Sequence, residues 1–202
     1  MARLTKMLDG DKLNLERVGF LLVDDSPQAL DILSQVVAGF GARSLTKADS
    51  AAAAKNIISQ GAIDIILTAG LMPEENGYDL VRWVRKEARE DARHVPIVVI
   101  AGHTSQSDVR FARDCGANFV IAKPLVPRVL FQRLFWIAHD EREFIECDEY
   151  VGPDRRFKRQ GPPPGTEGRR AEDRRGKIGA ASEPNMSQDQ INALVKPAKV
   201  VL

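Results

Sequence analysis

Five short apolar runs alternate with stretches of helical periodicity, and this alternation is what most constrains the fold of the chain. The candidate strands are residues 18–23, 42–46, 63–68, 97–100 and 119–122, and all of them except 42–46 (ARSLT) are rich in valine, isoleucine and leucine. Helical patterns follow at residues 29–40, 50–59, 78–88, 107–114 and 126–139. Strands that are apolar along their whole length are typical of parallel sheets covered on both faces by helices. The sequence therefore predicts an α/β fold with a doubly wound, five-stranded parallel sheet.

Several polar or small residues fall at the predicted carboxyl ends of these strands. They are Asp24, Asp25, Ala69, Ala101 and Lys123. Sheets of this kind bind their ligands beyond the carboxyl ends of the strands. We therefore expect the five positions to converge on one pocket.

Four segments resemble the receiver domains of response regulators, in order and at receiver spacing. The segments are residues 18–26 (VGFLLVDDS), 64–77 (DIILTAGLMPEENG), 94–104 (HVPIVVIAGHT) and 116–124 (GANFVIAKP). The resemblance covers roughly residues 17–141 and implies the flavodoxin-like receiver fold. It also implies a role in two-component signalling. In that family, three carboxylates hold a divalent cation, and one of them accepts a phosphoryl group.

The resemblance assigns the family's acid pair to Asp24 and Asp25, and the family's lysine to Lys123. The acceptor position, however, is Ala69, whose methyl group can neither attack phosphorus nor ligate Mg²⁺. The chain therefore resembles a pseudo-receiver that cannot use the family's own chemistry.

The positions that report phosphorylation in the family also depart from its pattern. Ala101 stands where the family has Thr or Ser, and Val120 stands where it usually has Tyr or Phe. Phe119, the neighbouring residue, is the alternative candidate for the switch aromatic.

The retained charges allow three interpretations. Asp24, Asp25 and Lys123 form a buried ion cluster in the first, since buried charges need partners. The second is weak residual Mg²⁺ binding by the acid pair, reduced because one carboxylate is missing. The third is phosphoryl transfer to another residue, which strand alternation and loop geometry disfavour for Thr68, Glu74 and Glu75.

Position 69 has two explanations. Ala69 is either the native residue or an engineered replacement of an aspartate. Because Ala101 also lacks the switch hydroxyl, the sequence favours natural loss of the phosphorylation chemistry.

Composition and charge limit the ligands, the cross-links and the cellular location expected for the protein. The net charge of +1 indicates no overall affinity for nucleic acid or membranes, and two cysteines give no disulfide framework or metal spacing. With no long apolar run and no signal-peptide pattern, we expect a cytoplasmic protein without membrane insertion. Residues 1–16 are interpreted as an N-terminal leader.

Residues 142–202 form the third predicted region, an Arg/Pro-rich extension that is largely disordered. Large apolar residues are scarce between 152 and 177, so this stretch cannot bury a core. A capping-box pattern at 187–190, followed by apolar spacing, predicts a short helix near 188–196. No helix-turn-helix pattern fits the extension, so we expect no DNA binding.

The arginines of the extension suggest an anionic ligand. The candidate nucleotide-binding residues are Arg155, Arg156, Arg169, Arg170, Asp173 and Arg174. An Arg-x-x-Asp pair can bind guanine through the arginine fork and the aspartate, and it resembles short motifs that bind cyclic di-GMP. The competing interpretation is a solvated linker.

The sequence thus predicts a non-enzymatic signalling adaptor that works by protein–protein contact without Asp phosphorylation, with cyclic di-GMP as a candidate regulator. The partners expected from the resemblance are a histidine kinase and a polar, flagellar or other signalling protein. The alternative is a phosphoryl-accepting response regulator whose acceptor was replaced at position 69.

Overall fold

The computed structural model describes residues 8–9, 12–140, 142–154 and 185–195. Its centre is a sheet of five parallel strands in the order β4-β3-β5-β6-β7. These strands are β3 (Gly19–Val23), β4 (Ser44–Ala48), β5 (Ile65–Ala69), β6 (Ile97–Ala101) and β7 (Phe119–Ala122). The predicted α/β sheet of the receiver type is therefore confirmed.

Burial explains why the central strands are apolar on both faces. Every residue of β5 and β6 is buried, because helices flank the sheet. The predicted range 42–46 for β4 was two residues early, because residues 41 and 42 belong to the turn that precedes the strand. The turn after the first helix uses Gly41, at φ +94°, and Ala42, whose N–H donates to Val37 O.

Within the described residues 27–138, six helices accompany the sheet. They are α1 (Pro27–Gly39), α2 (Ala51–Gln60), α3 (Gly77–Lys86), the short α4 (Glu90–Arg93), α5 (Gln106–Asp114) and α6 (Pro127–Ala138). The helix starts are set by side-chain caps, because Ser26, Ser50, Asn76 and Ser105 each accept a hydrogen bond from the first turn. All five predicted helices are present within one or two residues of their predicted ends.

Two hairpins were not predicted. The first pairs β1 (Leu8–Asp9) with β2 (Lys12–Leu13), inside the range interpreted as a leader. The second pairs β8 (Phe144–Cys147) with β9 (Tyr150–Pro153), inside the range interpreted as the extension. It packs near the amino ends of β6 and β7, where the rings of His94 and Phe144 are 4.4 Å apart.

A seventh helix, α7 (Gln188–Val195), lies against β7. Its capping box is formed as the sequence pattern predicts: Gln190 N donates to Ser187 Oγ, and Ser187 N donates to Gln190 Oε1. Across the described ranges, no helix has the length and apolar character needed to span a membrane.

Candidate functional site

The carboxyl ends of four neighbouring strands bring the predicted site positions to one edge of the sheet. Asp24 follows β3, Ala69 ends β5, Ala101 ends β6, and Lys123 follows β7. The register places Ala69 beside Ile100, and Ala101 beside Ala122. The pocket is thus built by strand ends, each fixed by the ladder of its neighbours.

An ion pair joins the two outer strands of this pocket. Lys123 Nζ donates to Asp24 Oδ2 at 2.9 Å, and Ser26 N donates to Asp24 Oδ1 at 3.0 Å. Asp24 is buried, whereas the Lys123 side chain is 41% exposed. Both carboxylate oxygens of Asp24 are therefore engaged by the protein itself.

The predicted ion triad is wrong in one member. Asp25 is exposed and makes no ion pair among the described residues. The bend after Val23 turns Asp25 outward, while Asp24 points inward to Lys123. The cluster is a half-exposed pair rather than a buried triad.

Ala69 is buried, and the start of α3 lies directly against it. The N–H of Gly77 donates to Gly70 O at 3.0 Å, and a Cβ on Gly77 would overlap the carbonyl oxygen of Ala69. Gly77 is thus required by close backbone approach. On the side formed by β5, the pocket is therefore lined only by the methyl group of Ala69 and by backbone atoms.

Neighbouring groups that could replace the missing acceptor point elsewhere. Thr68 is fully buried, and its hydroxyl donates to Ala69 O at 3.1 Å. Glu75 pairs with Lys55 of α2 at 2.5 Å. Glu74 is exposed in the loop at φ +64°. None of the three is held at the pocket, as phosphoryl transfer would require.

The donor set does not fit a magnesium site. Mg²⁺ in proteins is held by carboxylates together with water in near-octahedral geometry. Here each carboxylate oxygen of Asp24 already accepts a hydrogen bond, from Lys123 or Ser26. Asp25 is exposed, and Ala69 has no oxygen in its side chain. Among the described residues, no group of three or more His, Cys, Asp or Glu side chains could hold a metal ion.

The switch positions are occupied by apolar residues. Ala101 ends β6 and is buried, and Val120 is buried within β7. Phe119 cannot act as the switch aromatic, contrary to the sequence-based suggestion. It is fully buried at the amino end of β7, and its ring lies 5.8 Å from that of Trp136.

Sequence reasoning missed the contacts that segment 185–195 makes beside this pocket. Thr104, three residues past Ala101, is buried and makes three hydrogen bonds with this segment. Its N–H donates to Asn185 Oδ1 at 3.0 Å, its hydroxyl donates to Met186 O at 3.1 Å, and its carbonyl accepts from Met186 N at 2.7 Å. No pattern in the sequence indicated that Thr104 would contact the segment that contains the predicted helix.

Two buried arginines were also missed. Arg85 donates to backbone carbonyls of Gly116 and Val95 at 2.9 and 2.8 Å, and to Asn118 Oδ1 at 3.0 Å. Arg133 of α6 is fully buried and donates a hydrogen bond to Asn192 of α7. Burial lowers the pKa of its guanidinium to about 10. Both arginines lie in helices with an amphipathic pattern, in which a charged residue is expected on the exposed face. Their burial is therefore seen only in the tertiary packing.

The predicted nucleotide-binding residues lie outside the described residues. They are Arg155, Arg156, Arg169, Arg170, Asp173 and Arg174. Cyclic di-GMP binding through them stays a prediction from the sequence.

Comparisons with known proteins agree with the receiver-type fold. The family model described as the response regulator receiver domain matches residues 20–135. Chemotaxis protein CheY1 of Helicobacter pylori is 31% identical over 115 residues, which are 56% of this chain and 91% of that protein. A probable cyclic di-GMP phosphodiesterase of Vibrio cholerae is 26% identical over 129 residues. The match spans 64% of this chain but only 28% of the phosphodiesterase.

A solved receiver structure shares the fold. It is the receiver domain of a sensor histidine kinase from Pseudomonas aeruginosa PAO1, with a magnesium ion coordinated in the active site cleft. It is 25% identical, with a TM-score of 0.55, and the match covers 61% of this chain and 98% of that one.

Proposed function

Because the chain belongs to the response regulator receiver domain family, we propose that it is a pseudo-receiver adaptor of two-component signalling. It works through protein–protein contact and without phosphorylation of an aspartate. The observation that carries this proposal is Ala69, buried at the end of β5 where the family has its acceptor.

Phosphoryl transfer relies on positioning of the nucleophile and on charge stabilisation of the transferred group. The pocket has no nucleophile to position, because its β5 position is a methyl group. It also has no unpaired lysine to stabilise the transferred group, because Lys123 is paired with Asp24. The pair holds the ends of β3 and β7 in one arrangement without a phosphoryl group. A fixed arrangement suits a protein that presents a constant binding surface.

The partner class follows from the family. Receiver domains contact histidine kinases and other signalling proteins, and we propose a partner of this kind, including a polar or flagellar one. The module is proposed as a binding protein rather than an enzyme, and no DNA-binding role is proposed for it.

The alternative function is a phosphoryl-accepting regulator whose acceptor was replaced at position 69. Ala101 argues against it, because an engineered change at one position would leave the switch hydroxyl of β6 in place. The two functions predict different responses to restoring the carboxylate.

The experiment is an amide NMR titration with Mg²⁺ and beryllofluoride, which forms a phosphoryl-like adduct on a carboxylate. It compares the parent chain with Ala69→Asp and with Ala69→Asn, the matched variant without a nucleophilic oxygen. We expect no saturable shifts for the parent or for Ala69→Asn. Any shifts of Ala69→Asp should stay local to position 69, because Ala101 cannot relay them.

Saturable shifts of the parent around Lys123 would contradict the proposal. Shifts of Ala69→Asp that extend to Thr104 and Ala122 would favour the alternative, since they would show an intact switch behind one missing carboxylate.

We further propose cyclic di-GMP as a regulator bound through the Arg-x-x-Asp pair Arg170 and Asp173. The support is the sequence motif and the paired arginines Arg155 and Arg156, which offer planar forks to guanine and phosphate. The nucleotide would act on the extension, separately from the pocket at Ala69.

A further inference from the structure

Gly70, the residue after Ala69, leaves room for a side chain from another element. A Cβ built on Gly70 would lie 2.8 Å from the hydroxyl oxygen of Tyr78 and 3.4 Å from the Cβ of Ala101. The φ angle of Gly70 lies outside the left-handed region, so an alanine could adopt the same backbone. It is therefore the phenol of Tyr78, and not the backbone, that requires a glycine here.

Tyr78 reaches this space from the first turn of α3. The turn is held beside β5, because the N–H of Gly77 donates to the carbonyl of Gly70 at 3.0 Å. Tyr78 is only 2% exposed. Burial, and then the nearby charge of Asp108, raises the pKa of Tyr78 above its usual range, so the phenol stays neutral. A neutral phenol therefore fills the space beside Ala101 at the strand ends.

The same side chain contacts α5. The rings of Tyr78 and Phe111 are 5.4 Å apart at an interplanar angle of 79°, an edge-to-face arrangement that aromatic pairs favour. The guanidinium of Arg82 lies 4.3 Å from the centre of the Phe111 ring. Tyr78 is thus packed between the strand ends on one side and α5 on the other.

Only a short loop joins the two places that Tyr78 reaches. Ala101 ends β6, and α5 begins at Gln106 with the capping box of Ser105 and Asp108. Within this loop, Thr104 and Ser105 are buried. Because Tyr78 lies against both ends of the connection, a shift of loop 102–105 together with α5 has to displace the phenol.

We propose that Tyr78, admitted by Gly70, is a positioning residue that holds Ala101, loop 102–105 and α5 in one arrangement. The inference deepens the proposed function and rests on it, since it gives a physical reason for a constant binding surface. A larger side chain at position 101 would have to share the space that Tyr78 occupies. The combined changes Ala69→Asp and Ala101→Thr are therefore not sufficient for a switch while the phenol stays in place.

A double-mutant cycle tests the contact between Gly70 and Tyr78. Urea unfolding of the full chain compares Gly70→Ala in three backgrounds, which are the parent, Tyr78→Phe and Tyr78→Leu. The cycle isolates the coupling between the two positions. Gly39→Ala is the matched control, because a Cβ on Gly39 would meet nothing within 4 Å.

We expect Gly70→Ala to lower the urea midpoint of the parent, since the new methyl group overlaps the Tyr78 hydroxyl. The loss should be smaller in Tyr78→Phe, which lacks that hydroxyl. In Tyr78→Leu, Gly70→Ala should leave the midpoint unchanged or raise it, because an alanine restricts the unfolded chain. Gly39→Ala should give one and the same shift in all three backgrounds.

Relaxation dispersion of the backbone amides tests whether Tyr78 holds the loop, because this method detects microsecond-to-millisecond exchange. We expect such exchange at residues 102–108 in Tyr78→Leu and none there in the parent. Trp83→Leu is the control. It removes an aromatic ring from the side of α3 that faces α2, where Lys55 lies 5.3 Å from the centre of the Trp83 ring. It should leave residues 102–108 unchanged.

A titration with Mg²⁺ and beryllofluoride tests the consequence for switching. It compares the chain carrying Ala69→Asp and Ala101→Thr with the same chain carrying Tyr78→Leu as well. Amide shifts should stop before Phe111 while the tyrosine is present, and should reach Phe111 once it is replaced.

Equal losses from Gly70→Ala in all three backgrounds would overturn the contact. Exchange at residues 102–108 in the parent, or its absence in Tyr78→Leu, would overturn the positioning role. Shifts that reach Phe111 with the tyrosine present, or that fail to reach it in either chain, would do the same. If Tyr78→Leu does not fold, Tyr78→Phe takes its place in each comparison. A beryllofluoride adduct of the parent chain would contradict the proposed function instead, and it would leave the double-mutant cycle unaffected.

Discussion

Lys123 Nζ lies 2.9 Å from Asp24 Oδ2, although β5 and β6 separate their two strands in the sheet. The pair reaches across the strand ends where Ala69 and Ala101 contribute only methyl groups. A charge that would meet a phosphoryl group in the family is thereby paired within the protein. The pocket holds an ion pair, and position 69 contributes no carboxylate to it.

Lys123→Met should cost about 1 kcal/mol of unfolding free energy. The lysine is 41% exposed, so solvent screens the pair, but Asp24 is buried and retains only the Ser26 N–H. Lys47→Met, which breaks the more exposed pair with Asp31, is the control and should cost less. Urea midpoints measure both. A loss above about 3 kcal/mol would point to the buried cluster that the sequence suggested.

Arg85→Met and Arg133→Met should differ sharply although both arginines are fully buried. Removing Arg85 orphans the carbonyls of Gly116 and Val95, with a cost of about 3 kcal/mol or more. Arg133→Met removes a guanidinium with two unpaired donors, so stability should stay within about 1 kcal/mol of the parent. Thermal and urea unfolding give the comparison, and equal losses would show that Arg133 is fully satisfied.

The two cysteines should react very differently with a thiol reagent. Burial raises the pKa of the Cys115 thiol to about 12, while Cys147 is exposed in β8. Because only the thiolate reacts, the native chain at pH 8 should take up one iodoacetamide adduct, at Cys147. Cys147→Ser should take up none. Peptide mapping identifies the labelled cysteine, and rapid labelling of Cys115 would show that the chain opens readily at the end of α5.

Arg170→Ala should weaken any binding of cyclic di-GMP by roughly tenfold or more, since a forked guanine contact contributes about 1–3 kcal/mol. Lys177→Ala is the control, because it removes a charge outside the Arg-x-x-Asp pair. Calorimetry at two salt concentrations separates base recognition from phosphate attraction. Equal losses of affinity for the two variants would show that the extension binds anions without recognising guanine. If the parent chain gives no heat of binding, cyclic di-GMP is not its ligand.

The fold was predictable because its signals are local. Runs such as residues 97–100 are apolar enough to be strands buried on both faces, and the helical spacing of apolar residues in stretches such as 29–40 predicts a helix between two strands. The strand-end rule then placed Asp24, Ala69 and Lys123 together. These inferences needed no knowledge of which side chains meet.

The side-chain partners were not predictable. Asp24 and Asp25 are adjacent, and only the backbone bend decides which one meets Lys123. Gln188 and Thr104 are ordinary polar residues, and their partners Ala122 and Asn185 lie 66 and 81 residues away in the sequence, so their role appears only where segment 185–195 docks. The β8–β9 hairpin was missed because its short strands carry little apolar alternation.

The central claim is that this receiver acts without an aspartyl phosphate, and intact-mass spectrometry after incubation with acetyl phosphate or phosphoramidate and Mg²⁺ tests it most directly. The account predicts an unchanged mass for the parent chain, because Ala69 offers no nucleophile and neither Thr68 nor Glu75 reaches the pocket. Ala69→Asp, run beside it, shows whether the donors can reach this edge of the sheet. A stoichiometric gain of one phosphoryl group by the parent chain would contradict the account.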